Sequence, residues 1–307
     1  MTSPARNRFD FHCHSSASDG RDAPLALYAA MQRWGLRAAA ITDHDTLEGY
    51  RTVRAAGLGG GRPGPDGATN GPLLIPGIEI NAVAAPGEPF LGALGERHFL
   101  GYGLDPDDHG LAATLSRQQV LRRGRIEETV ARLRELGLPI EEQLATTLGP
   151  QVSSAGRPHV ARAMVAAGYT ESVETAFHDW LSRGRPAYVP RRGLGEQEAI
   201  EAIRSAGGLA VLAHTVDAPD IPDAIERLQG WGLGGLEVFY GGYARTFGPL
   251  AIERLAAFAA ARDLVPTGGS DYHGDTMRYE TAQANLWVPE SAARALLEAI
   301  GLGDALA

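Results

Sequence analysis

Seven short apolar runs, most of them ending in a polar cluster, constrain this chain more than any other feature. They are RFDFHCH (8–14), AAAITDH (38–44), LLIPGIEI (73–80), HFLGYGL (98–104), LAVLAHT (209–215), GLEVFY (235–240) and VPTGGSD (265–271). Helical patterns fall between several of them, at 24–34, 46–56, 196–206, 221–230 and 249–262. Nearly continuous apolar strands alternating with helices predict a parallel sheet with crossover helices. Seven such units suit a (β/α) barrel, in which functional residues gather at the C-terminal ends of the strands. The alternation stops between residues 106 and 192. DDHGLAATLSRQQVLRRGRIEETVARLRELG there reads as one long amphipathic helix, and RPHVARAMVAAG and TESVETAFHDWLSRG as shorter ones. The expected organisation is therefore a barrel in two parts, 1–105 and 193–307, with a small helical insertion at 106–192. Stretches 57–72 and 85–97 are rich in Gly and Pro and read as loops.

The polar residues fall where a barrel would collect them. In FDFHCHSSASDG, alternation along a strand puts His12 and His14 on one face and Phe11 and Cys13 on the other, with Asp19 just beyond. Asp43 and His44 end the second run, Glu79 lies near the end of the third and His98 opens the fourth. His214 ends the fifth, and Asp271 and His273 end the last. A single histidine at a strand end is ordinarily a hydrogen-bonded structural residue. An H-x-H pair joined by carboxylates and histidines from several other strand ends is instead the composition of a metal centre. Asp43 reads as a cap on the helix starting near Thr46 or as an orienter of a ligand histidine. His109 and His178 fall on helical patterns without partners and read as surface residues.

Charge and composition exclude other classes. The formal net charge is −9, so the field that grips duplex DNA is absent. All 28 basic residues are arginine, so any phosphate clamp must use guanidinium forks. One cysteine forbids an intrachain disulfide and suits the cytoplasm. No apolar run approaches the roughly 18 residues of a membrane span, and MTSPARNRFD lacks the apolar segment of a leader.

The motifs HCH…D, TDHD, GIE, HFLGYG, AHT and GSDYH, in this order, resemble those of the PHP (polymerase and histidinol phosphatase) family. AAAITDHDTLEGY, and GRPHVARAM followed by RGRPAYVP, resemble one branch more closely: the bacterial 3′,5′-nucleoside bisphosphate phosphatases and 5′-to-3′ exoribonucleases of short RNA. The resemblance implies a distorted seven-stranded barrel holding two to three divalent ions. His12, His14, Glu79 and Asp271 would hold the first; Asp19, His44 and His273 the second; Glu79, His98 and His214 a third. Asp19 stands where some members have histidine, which favours Mn²⁺ or Fe²⁺ over Zn²⁺; Mn²⁺ is the expected ion. AHT departs from the AHP common in the family, so the turn after His214 lacks the stiffness of proline.

The implied reaction is attack on phosphorus by water deprotonated at the metals. Cys13, facing away, is not a nucleophile. His159 is the remaining candidate for a protonic role, with support of a ligand or contact with a phosphate as the alternative reading. In the insertion, Arg157, Arg183 and Arg185 are candidates to grip a second phosphate, whereas Arg191 and Arg192 read as a solvated face. Tyr188 reads as an interior residue rather than a base-stacking one. A PHP phosphomonoesterase for a small metabolite such as histidinol phosphate is the alternative, and an amidohydrolase is disfavoured by the absence of any lysine ligand. No obligate protein partner is implied.

Overall fold

The structure is a computed structural model that describes residues 6–61, 71–83, 96–149 and 152–306, the side chains of 244 and 245 excepted. Seven strands form one sheet in chain order: β1 (Phe9–Asp10), β2 (Ala38–Ile41), β3 (Leu73–Val83), β4 (Glu96–Tyr102), β5 (Leu209–Leu212), β6 (Gly235–Tyr240) and β7 (Val265–Gly269). The expectation of an all-parallel sheet is corrected at one strand, because β4 runs antiparallel to both β3 and β5. The sheet then curls almost closed. Beyond their last ladder residues, the chains after β1 and β7 stay paired through Phe11 N–H to Gly268 O (3.2 Å), Asp271 N–H to His12 O (2.7 Å) and His14 N–H to Tyr272 O (2.9 Å). Gly269 permits this seam, since a Cβ there would lie 2.3 Å from the His12 nitrogen.

Several strands are shorter than their apolar runs. β1 ends at Asp10, and the histidine pair lies in the extension that follows it. Alternation is lost there: Phe11 packs with Phe9 and Tyr102, whereas Cys13 packs outside with Tyr28, Met31 and Ile41. The expected pairing of Phe11 and Cys13 on one face is thereby corrected. The barrel interior holds an apolar cluster drawn from all seven strands, closed by the helix Glu290–Ala299. Helices Pro24–Trp34, Glu196–Ser205, Pro222–Gly230 and Pro249–Ala260 pack around the outside.

Between β4 and the helix Glu196–Ser205 the described residues form only helices: His109–Glu135, Glu141–Thr147, Arg157–Ala166 and Val173–Ala176, the last continuing as a π-helical turn, Phe177–Leu181. Asp108 caps the long helix by accepting from Leu111 N–H at 2.6 Å. This segment has an apolar cluster of its own, including Ile126, Leu133, Leu144, Val160 and Leu181. Of the two expected loops, 62–70 and 84–95 lie outside the described residues. Among the described residues, no helix is long and apolar enough to cross a membrane.

Candidate metal centre and arginine cage

The antiparallel strand places the one residue that a parallel barrel would have misplaced. His98 lies near the start of β4, opposite Asn81 of β3, so reversing the strand brings that start to the rim where the parallel strands end. All nine histidines and carboxylates that the resemblance implies as metal ligands meet at this rim. Glu79 is their hub. Its Oε2 lies 3.4 Å from His12 Nε2, 3.1 Å from His14 Nε2 and 3.0 Å from His44 Nδ1. Its Oε1 lies 2.7 Å from His98 Nδ1 and 3.3 Å from His214 Nε2. Asp271 Oδ1 approaches His12 and His14 Nε2 at 3.3 and 3.2 Å, and Asp19 approaches His44 and His273 at 3.6 and 3.5 Å.

The donor set fits divalent ions. His12 Nε2, both ring nitrogens of His14, His44 Nδ1 and Glu79 Oε2 are buried without a hydrogen-bond partner. Such orphaned atoms are costly unless something cationic joins them. Three groupings have ligand atoms within 4.8 Å of one another: His12–His14–Glu79–Asp271, His14–Asp19–His44–His273 and His44–Glu79–His98. The first equals the set expected for one ion. The second adds His14 to the expected set. In the third, His44 stands where His214 was expected, although His214 Nε2 is still 3.1 Å from His98 Nδ1. Burial alone would raise the Glu79 carboxyl, but His44, His98 and His12 draw it well below the usual carboxylate range. Burial likewise opposes ionisation of Asp19, and His44 and His273 overcome it.

Strain and supporting contacts hold these groups in place. His214 and Asp271 adopt positive φ, 30° and 51°, a conformation that non-glycine residues rarely take and that concentrates at functional sites. The Thr215 hydroxyl donates to the Ala213 carbonyl at 2.8 Å, tying the turn that lacks the family's proline. Asp43 accepts from Ser15 N–H, Ser15 Oγ and Ser18 Oγ at 2.8, 2.7 and 2.6 Å, and so shapes the loop leading to Asp19; it caps no helix. Sequence reasoning missed Glu237, fully buried on β6, which meets His12 Nδ1 and accepts from His214 N–H, both at 2.8 Å. The available signal was an acid in an otherwise apolar strand. It also missed Tyr240, whose hydroxyl donates to Asp271 Oδ2 at 2.9 Å.

The cleft above this centre encloses about 350 Å³, and one wall is arginine. Arg122 donates to Asp45 at 2.8 Å and Arg191 at 3.1 Å. Arg125 and Arg157 donate to Glu96 at 2.7 and 3.3 Å, and Arg191 reaches it at 3.7 Å. Burial would raise the Glu96 carboxyl, yet Arg191, Arg157 and Arg125 hold it at about 2. Arg125 Nη2 and Arg191 Nε are buried without a partner. Four guanidiniums thus face two carboxylates, leaving two positive charges uncompensated within the cage.

The structure redistributes the expected substrate residues. Arg157 lines the cleft; Arg183 and Arg185 are exposed and do not. Arg191, expected on a solvated face, is corrected to a buried cage residue whose side chain is 5% exposed, because Asp45 and Glu96 neutralise it. Arg192 does lie in solvent, paired with Glu128. His159 is buried outside the cleft lining, and its Nδ1 accepts from Gly156 N–H at 3.1 Å. Burial lowers its pKa. Through Nδ1 it closes the start of its helix. Tyr188 packs beneath the Arg125 guanidinium, 5.9 Å from ring to charge, and does not line the cleft.

No family model matches the chain. The 5′-3′ exoribonuclease Rnm of Escherichia coli is 30% identical over 293 residues, which cover 92% of this chain and 90% of that protein. The 3′,5′-nucleoside bisphosphate phosphatase of Chromobacterium violaceum is 28% identical over 279 residues, 86% of each. A solved structure from Bifidobacterium adolescentis, classed with the metal-dependent phosphoesterases, superposes with a TM-score of 0.77 at 30% identity, covering 97% of this chain and 98% of that one. Fold, site and relatives together define a metal-dependent hydrolase acting on phosphate esters. Its curled seven-stranded sheet, with one antiparallel strand, holds the histidine and carboxylate motifs in the order read from the sequence. The chain belongs to the PHP family.

Proposed function

We propose that the enzyme removes the 3′-phosphate of 3′,5′-nucleoside bisphosphates and shortens RNA oligonucleotides from a 5′-phosphorylated end. The observation that carries this reading is the arginine cage beside the metal centre, two anion-binding units in one cleft. A cage with two uncompensated positive charges matches a terminal phosphate, which carries roughly −1.5 to −2 at neutral pH. A single-phosphate metabolite has no use for it. Two of the relatives support the same substrates, being a bisphosphate phosphatase and a 5′-3′ exoribonuclease.

When bound, divalent ions supply a water of lowered pKa, neutralise the phosphoryl oxygens and stabilise the leaving oxygen. His12, His14, Glu79 and Asp271 would hold one ion, Asp19, His44 and His273 another, and Glu79 with His98 and His214 or His44 a third. Mixed imidazole and carboxylate donors suit Mn²⁺. Glu237 and Tyr240 keep His12 and Asp271 aimed inward. Arg122, Arg125, Arg157 and Arg191 orient the substrate by its second phosphate, so that the first lies over the metal ligands. Segment 106–192 acts as the specificity module, since it or its return to the barrel supplies all four arginines. With one buried cysteine and no disulfide, the protein suits the cytoplasm.

The test is phosphate release from adenosine 3′,5′-bisphosphate with Mn²⁺. Formation of 5′-AMP, abolished by His12→Ala, is the expected result. Intact bisphosphate alongside hydrolysis of an aryl phosphate would overturn the substrate and leave a small-metabolite phosphomonoesterase.

A further inference from the structure

We propose that Phe177 is the platform on which the substrate's nucleobase stacks, making it the residue that selects nucleotides over base-free sugar bisphosphates. The inference rests on the bisphosphate reading above. Phe177 opens the π-helical turn Phe177–Leu181, closed by Ser182 N–H to Phe177 O at 3.0 Å. Turns of this kind are rare and are frequently found at functional sites. The turn lies where the chain could have continued the regular helix Val173–Ala176, and it sets the Phe177 ring into the wall of the cleft.

The ring is partly buried against the apolar cluster of the helical segment and also lines the cleft, with Ile126 and Pro158. The other aromatic of the lining, Tyr240, is committed elsewhere. Its hydroxyl binds Asp271, and its ring packs on His214 and Tyr243 with centroids 5.8 and 4.9 Å away. Among the described residues, Phe177 is therefore the aromatic surface on the cage side.

Arg157 connects that surface to the cage. Its guanidinium carbon lies 5.6 Å from the Phe177 ring centroid, one nitrogen donates to Leu181 O at 3.4 Å, and another reaches Glu96 at 3.3 Å. A phosphate held by the cage is thus within one nucleoside's reach of the ring, so base and phosphate of the same nucleotide are held together. Ile126 and Pro158 carry no side-chain donors or acceptors to read base edges. Stacking there accepts any base, because every base has a π-face.

The test compares adenosine 3′,5′-bisphosphate with methyl riboside 3,5-bisphosphate, which has the same two phosphates and no base. In Phe177→Ala, KM for the nucleotide rises roughly tenfold, the loss that removing a stacked ring produces. Its kcat stays within about twofold, since uniform binding alone is removed, and KM for the base-free compound does not move. Phe177→Leu, which keeps apolar volume without a ring, gives the same split and guards against a misfolded alanine variant; Phe177→Trp restores the nucleotide KM. Equal KM for the two compounds in the wild type, or an equal rise for both in the leucine variant, overturns the inference while leaving bisphosphate hydrolysis intact. A wild-type enzyme that hydrolyses neither compound overturns the bisphosphate reading and this inference with it.

Discussion

Glu237 Oε1 lies 2.8 Å from His12 Nδ1, while Oε2 of the same carboxylate accepts the His214 backbone N–H at 2.8 Å. A carboxylate only accepts, so the His12 proton sits on Nδ1 and Nε2 is left free toward Glu79 and Asp271. Glutamine at this position has one accepting oxygen for two donors. Glu237→Gln should therefore weaken metal affinity about 10- to 100-fold, the usual effect of losing such a support. Mn²⁺ titration by calorimetry checks this independently of activity, and unchanged affinity would remove Glu237 from the metal's support.

Removing the ions should abolish phosphate release and lower the melting temperature, because the orphaned nitrogens around Glu79 lose the cation that joins them. A ligand present at 100 to 1,000 times its Kd stabilises by about 2.7 to 4.1 kcal/mol, which is several degrees in a chain of this size. Mn²⁺ should restore both properties better than Mg²⁺, which takes imidazole poorly. Scanning calorimetry of chelated and reloaded protein reads the shift.

Arg191→Gln should raise KM for the bisphosphate roughly 10- to 100-fold, the worth of about 1.5–3 kcal/mol for a hydrogen bond to a charged group. KM for an aryl phosphate, which has no second phosphate, should stay put. Arg183→Ala and Arg185→Ala should change neither constant, since both side chains are exposed away from the cleft. Steady-state kinetics on the two substrates distinguishes these cases.

Gly269→Ala should be among the most damaging single-methyl changes in the barrel. The new Cβ would lie 2.3 Å from the His12 nitrogen at the β7–β1 seam, where backbone rather than a flexible side chain must give way. Overpacking of this kind costs about 1–3 kcal/mol or more. It should also misplace His12, so reduced Mn²⁺ stoichiometry ought to accompany the lower melting temperature.

Cys13→Ala should leave phosphate release unchanged. The thiol is fully buried on the outer face, donating to the Ala40 carbonyl at 3.3 Å, and burial raises its pKa well above the ordinary value. Native protein should resist alkylation, and a loss of activity in the alanine variant at unchanged stability would restore the case for a thiol nucleophile.

How much was readable in the chain follows from how local each determinant is. Apolar runs and their polar ends depend on neighbours a few residues away, so the strands, the helical segment and most of the rim residues could be placed from the sequence. His98 shows the limit. Its position at the start of a run contradicted the rule for parallel strands, and only the reversal of β4 brought it to the rim. Arg191 and Arg192 are adjacent and alike in sequence, yet one is buried between Asp45 and Glu96 and the other is in solvent.

The sequence by itself determined the periodicity, the ligand residue types and the order in which they occur, because these are properties of short stretches. The tertiary structure alone decided which arginines form the cage and that Glu237 steadies His12. Those assignments depend on residues tens to hundreds of positions apart meeting where water is excluded, and only there does an unpaired charge become costly enough to select its partner.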